Sequence, residues 1–190
     1  MPAGLTYWYT DMARGWKYYT YVAEEVPMIA QSYLHISPKR ENTYIAGMSM
    51  GGMGAVKIAL NHPEQYCMAA AFSGSLDPIS RSLENDSYTP ERVGWNADIF
   101  GDDEQARFGS ENDLLHLLDT AKEKGQPLPS LYLSCGTADS LYPYNLKFRD
   151  KAVSLGYDVE FYEEEGVGHE WKFWDREVEK LIRRIPAQPL

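Results

Sequence analysis

The sequence predicts an α/β protein, a mostly parallel sheet flanked by helices and built as one domain. Short apolar runs rich in β-prone residues alternate along the chain with longer segments of helical periodicity, the pattern of strands joined by helical crossovers. Between the first such run and its helix stands Gly47-Met48-Ser49-Met50-Gly51, a Gly-x-Ser-x-Gly turn in a strand-turn-helix context. A chain of 190 residues with 44% hydrophobic content can bury a single sizeable core, and no shift in composition marks a second domain.

Residues 19–34 read as a helix that ends ahead of Pro38. Residues 43–46 read as a buried strand, and 53–60 as a helix with small residues where it would pack on the sheet. Residues 68–72 form the next strand. From 75 to 110 the chain is rich in Ser, Asn, Asp, Gly and Pro, with scattered aromatics and no sustained periodicity. That stretch is expected to be irregular. Its place after the strand that follows the turn makes it a small cap over the site, with a plain surface excursion as the alternative. Residues 113–124 then read as a helix, 131–135 as a strand broken at Gly136, 144–155 as a helix stopped by Gly156, 159–162 as an alternating strand, and 174–184 as the last helix. No internal repeat occurs.

A serine on so sharp a turn has its hydroxyl presented to substrate, and a side chain at either flanking glycine is expected to collide with the neighbouring strand or helix. A nucleophilic Ser49 needs a base, and the base an orienting acid, following in the order Ser, Asp, His. Asp139 lies just past the strand ending at Cys135, at the carboxyl edge of a parallel sheet. His169 lies on the glycine-flanked loop Gly166-Val167-Gly168-His169 after the last strand. The rivals are placed less well: His62 ends a helix before Pro63, His116 sits inside one, and His35 follows one. Asp77 competes with Asp139 from a comparable strand end, and Asp158 stands at the wrong end of its strand. The backbone N–H of Met50, at the helix start, is the expected oxyanion donor.

These residues amount to a resemblance. Gly47-Met48-Ser49-Met50-Gly51-Gly52, Cys135-Gly136-Thr137-Ala138-Asp139-Ser140-Leu141-Tyr142 and Gly168-His169-Glu170-Trp171-Lys172-Phe173-Trp174-Asp175 resemble the putative-esterase branch of the α/β-hydrolases, the branch of tributyrin esterases, S-formylglutathione hydrolases and feruloyl esterases. Tyr9-Thr10-Asp11, Phe72-Ser73-Gly74, Ile99-Phe100-Gly101 and Asn112-Asp113-Leu114 resemble the tributyrin esterase group's pattern. The resemblance runs from Pro2 to Ile185. It implies an α/β-hydrolase fold, a Ser49-Asp139-His169 triad and a small-molecule ester substrate. Short acyl esters come first, then cinnamoyl or acetyl esters of plant polysaccharide, then S-formylglutathione. An acyltransferase with the same triad and an inactive fragment are the other readings.

By the same resemblance the strands that precede this segment in the family, with the loop supplying a second oxyanion donor, are expected to be missing. A fragment, a misjudged start codon and a split gene are the readings of that departure. Residues 43–46 would then be an uncovered apolar edge prone to pairing with another chain, so a homo-oligomer is expected.

Trp171 and Trp174, three apart beyond His169, could share one face and line the substrate pocket, with core packing as the alternative; Leu141 and Tyr142 are further pocket candidates. No cofactor or metal is expected, since the run Glu163-Glu164-Glu165 has no histidine at ligand spacing and reads as a solvated turn. The net charge of −10 argues against nucleic acid and against anionic membranes as partners. Cys67 and Cys135 read as small buried hydrophobes and not as a disulfide framework. With no signal peptide in view, a cytoplasmic location is the default.

Overall fold

The computed structural model describes residues 7–84 and 90–185. Its centre is a four-stranded, wholly parallel sheet in the order β1-β2-β3-β4. Near the start, α1 (Tyr18–Thr20), a π turn (Tyr21–Glu25) and α2 (Val26–Tyr33) run on as one helical stretch over the segment expected at 19–34. β1 (Tyr44–Met48) follows, then α3 (Met50–Asn61) and β2 (Met68–Phe72). Beyond the sheet's centre come α4 (Pro78–Glu84), α5 (Pro90–Phe100) and α6 (Leu114–Glu123), then β3 (Ser130–Gly136), α7 (Tyr142–Ser154), β4 (Val159–Glu164) and α8 (Trp171–Arg184).

Alternation along the strands builds two cores. From β2 and β3, Ala69, Ala71, Leu131 and Leu133 pack with Val56, Leu60, Leu118 and Phe148 of α3, α6 and α7. Their neighbours Ala70, Phe72 and Tyr132 point the other way and meet Phe173, Trp174 and Leu181 of α8. Helices cover both faces, as a parallel sheet requires. Because all four strands run the same way, the residues that follow them gather at one edge: Ser49 after β1, Ser73 after β2, Asp139 after β3 and His169 after β4. Ligand sites of open parallel sheets lie at that edge.

Two expectations are corrected. The stretch at 75–110 carries α4, α5 and a short 3-10 turn at Glu104–Arg107, so it is not irregular. Ile79 and Ile99 are buried, and the N–H groups of Ala13 and Arg14 donate to the Ile99 and Asp98 carbonyls from outside the stretch. The acidic run is a turn only at Glu165, which is exposed. Glu163 and Glu164 lie in β4, where Glu163 accepts from the Tyr142 hydroxyl at 2.6 Å and Glu164 pairs with Arg176 at 2.5 Å. Among the described residues β1 pairs with β2 alone and forms an edge of the sheet, as expected for 43–46. Met28, Ile29, Tyr33 and Leu34 stand exposed on and after α2. No helix of the described residues is long and apolar enough to cross a membrane.

Candidate active site

Ser49 joins β1 to α3 with φ 54° and ψ −120°, a backbone region that non-glycine residues rarely adopt. Its N–H continues the sheet by donating to the Phe72 carbonyl at 2.9 Å. Its carbonyl opens the helix, accepting from Gly52 and Met53 N–H at 3.1 and 3.3 Å, and also takes Ser75 N–H at 3.1 Å. The serine is thus held by both elements and by the loop after β2. A Cβ on Gly47 would lie 2.1 Å from the Gly51 carbonyl oxygen, so glycine is required there. The expectation fails at Gly51, where an added Cβ would meet the Tyr9 hydroxyl at an ordinary 3.5 Å. Gly52 is the tighter position, with Gly74 Cα at 3.0 Å and Ala71 Cβ at 3.1 Å, because the first turn of α3 presses on β2 at this point.

The loops after β3 and β4 are laced together. Thr137 N–H donates to Glu164 O and Ala138 N–H to Val167 O, each at 3.0 Å, and Gly166 N–H donates to Thr137 Oγ1 at 2.9 Å. This extends the β3–β4 pairing past the strand ends and sets Asp139 against His169. Asp139, only 3% exposed, accepts Leu141 N–H on Oδ1 at 2.8 Å and meets His169 Nδ1 with Oδ2 at 2.7 Å. His169 Nε2 stands 2.9 Å from Ser49 Oγ. With Nδ1 protonated toward the carboxylate, Nε2 is left with its lone pair toward the hydroxyl. The ring of Trp174 meets His169 edge-on at 4.7 Å between centroids.

The structure therefore brings Ser49, Asp139 and His169 together. Met50 begins α3, where an N–H has no intrahelical acceptor. Trp174 is buried beside His169, while Trp171, in edge contact with Trp174 at 5.1 Å, is 67% exposed, so the two do not share one environment. Leu141 is buried and serves Asp139 through its N–H; Tyr142 donates its hydroxyl to Glu163. The rivals lie elsewhere: Asp77 pairs with Lys147 at 2.6 Å, His62 stands 3.5 Å from Glu64, His35 is exposed, and His116 lies in α6. Burial, and after it the Asp139 carboxylate, pushes the Cys135 thiol up to about 12. No cluster of His, Cys, Asp and Glu able to hold a metal ion occurs among the described residues.

Sequence reasoning missed Tyr9 and Lys57. Tyr9 lies against α3, and Lys57, with no exposed surface, donates to the Tyr9 carbonyl at 2.9 Å. A lysine inside the run Gly54-Ala55-Val56-Lys57-Ile58-Ala59-Leu60 was the available signal, since a charge on so apolar a helix must find buried acceptors.

A family model described as "Putative esterase" matches residues 9–185. The chain belongs to this esterase family. Its relatives include an acetyl esterase of Caldicellulosiruptor saccharolyticus, 29% identical over 181 residues, which are 94% of this chain and 67% of the relative. An S-formylglutathione hydrolase of Mus musculus is 28% identical over 156 residues, 77% of this chain and 52% of the relative. The chain thus spans half to two thirds of these relatives. Among solved structures, the fluorophosphonate-binding serine hydrolase FphF of Staphylococcus aureus superposes with a TM-score of 0.85 at 28% identity, covering 99% of this chain and 71% of that one. The sheet and helices are accordingly those of an α/β-hydrolase, and the esterase family is one of hydrolases acting on esters.

Proposed function

We propose that this chain is a serine carboxylesterase that hydrolyses short-chain acyl esters through Ser49, His169 and Asp139. The observation that carries the reading is the hydrogen-bonded series from Ser49 Oγ through His169 to Asp139, at 2.9 and 2.7 Å. In it Ser49 Oγ attacks the ester carbonyl while His169 Nε2 takes the hydroxyl proton, and Asp139 holds the imidazole orientation and stabilises the imidazolium. His169 then returns the proton to the leaving alkoxide, which departs as alcohol. Water, deprotonated by His169, attacks the acyl-enzyme and releases the acid, and the proton returns to Ser49. The Met50 N–H donates to the carbonyl oxygen as negative charge develops on it.

A short acyl group is favoured by the likeness to an acetyl esterase, which extends over 94% of the chain. Trp174 and the exposed Trp171 are the proposed walls on the His169 side, and the helices at 78–84 and 90–100 the proposed cap. The test is turnover of p-nitrophenyl acetate and butyrate, methyl ferulate and S-formylglutathione by the chain and by Ser49→Ala. Loss of all turnover in a folded Ser49→Ala protein, with acetate or butyrate the best substrate, supports the proposal. Activity that survives the substitution ends it.

A further inference from the structure

Lys57 is the most deeply buried charge in the described structure, and the mechanism above does not use it. It lies on α3 about two turns beyond Ser49. Its ammonium has three donors, and three acceptors surround it: Asn112 Oδ1 at 2.7 Å, the Tyr9 carbonyl at 2.9 Å and Thr10 Oγ1 at 3.1 Å. The Tyr19 ring lies 4.8 Å away, and the nearest carboxylate, that of the half-exposed Glu111, is 3.7 Å away. A cation so buried is stable only if those acceptors are in place, so it fixes the segment that carries them.

That segment is strained. Trp8 and Tyr9 are consecutive aromatic residues, both with φ 47°. Such backbone persists only where its surroundings over-determine it, and it clusters at functional sites. Here Thr10 N–H donates to Tyr7 O, Thr10 Oγ1 donates to Trp8 O, and Lys57 holds Tyr9 O.

The result is the placement of one side chain. The Tyr9 ring lies on α3 at Gly54, where an added Cβ would come within 2.5 Å of it, and its hydroxyl reaches Gly51, one turn nearer Ser49 on the same helix face. The close approach of the ring accounts for glycine at 54, while at Gly51 the hydroxyl would stand at an ordinary 3.5 Å from an added Cβ. The hydroxyl has no hydrogen-bond partner among the described residues, and burial raises its pKa, so it is a protonated donor.

We propose that Tyr9 is a further substrate-contacting residue, positioned by Lys57: its hydroxyl donates a hydrogen bond to the carbonyl oxygen of the bound ester from the Met50–Gly51 side of Ser49. The inference rests on the esterase reading. A donor that meets the oxygen as charge develops acts on kcat more than on KM.

The test uses the 190-residue chain with Tyr9→Phe, Lys57→Met, the double substitution and Ser49→Ala. Turnover of p-nitrophenyl butyrate and the rate of Ser49 labelling by a fluorophosphonate are read side by side. Tyr9→Phe removes only a hydroxyl; it is expected to lower kcat and the labelling rate by about 10-fold or more, with KM within about 2-fold and an unchanged melting temperature. Lys57→Met should lower the same quantities, and the double substitution should be no worse than the worse single one, because Lys57 acts through Tyr9. Tyr9→Phe with both rates within about 2-fold of the unaltered chain overturns the inference, as do additive effects in the double variant. Should Lys57→Met fail to fold, Tyr9→Phe decides alone. Turnover and labelling that survive Ser49→Ala remove the esterase reading as well, whereas their loss there beside full rates in Tyr9→Phe removes this inference only.

Discussion

Gly136 lies directly beneath the Val167 carbonyl: a Cβ on the glycine would come within 2.1 Å of that oxygen. This contact closes the loop carrying Asp139 onto the loop carrying His169, and the 3.0 Å hydrogen bond from Ala138 N–H to the same oxygen seals it. Gly136→Ala must therefore move one loop away from the other. It is expected to cut kcat/KM by about 10²-fold or more, since displacements near 1 Å cost that much, while far-ultraviolet circular dichroism stays native and the melting temperature falls. Retention of most activity would show that the two loops are not coupled here.

Asp139→Asn should leave the fold intact and lower kcat by about 10³- to 10⁴-fold, because an amide lets His169 present the wrong tautomer to Ser49. In the unaltered chain kcat/KM should fall on acidification, since a protonated His169 cannot accept the serine proton. A flat profile on the acid side would argue against imidazole as the base.

Cys135 is fully buried next to the candidate site, with its thiol pushed up to about 12 chiefly by burial, so almost none of it is thiolate at neutral pH. Iodoacetamide at pH 8 should leave Cys135 unmodified in the folded chain, by mass spectrometry, and Cys135→Ala should keep kcat within about 3-fold. Rapid modification with parallel loss of turnover would contradict this.

Burial lowers the Lys57 pKa from 10.5 to about 8, against the pull of Glu111 and Asp11. Between those values the unfolded chain binds the proton that the folded chain has released, so this group's contribution to stability rises with pH from about 8 upward and is absent as a gain below it. Cys135, raised by burial, acts oppositely once pH passes its ordinary 9.0, and Tyr19, Tyr132 and Tyr157 once it passes their ordinary 10.0, which leaves the window between about 8 and 9. Urea midpoints at pH 7.5 and 9 should show a smaller alkaline gain, or a larger loss, in Lys57→Met than in the unaltered chain. Equal shifts in the two proteins would refute the linkage.

β1 offers an unpaired strand edge among the described residues, and Met28, Ile29, Tyr33 and Leu34 stand exposed on and after α2. Such surfaces recruit other chains. Sedimentation velocity should show concentration-dependent self-association, which Ile45→Lys on β1 should weaken. A monomer at all concentrations would mean that this edge is not sticky.

Much of this molecule is determined locally, and those parts were legible in the chain itself. Residues 68–72 and 131–135 announce strands because buried parallel strands are apolar throughout; 43–46 reads alike, yet β1 lies only partly covered at the sheet's edge. Ser49, Asp139 and His169 are legible because each follows a strand, and parallel strands deliver their following residues to one edge whatever lies between. Local pattern also set the glycine at 47, where the turn closes on its own chain. The rest depended on surroundings that no window of sequence contains. The helices at 78–84 and 90–100 have no sustained periodicity to announce them, and Trp171 and Trp174, alike in sequence, part into an exposed ring and a buried one because a helix turns them toward different neighbours. Lys57 meets Tyr9 and Asn112 only when segments 48 and 55 residues away fold onto α3. A buried charge can be placed only where distant acceptors converge, and that convergence is a property of the tertiary structure alone.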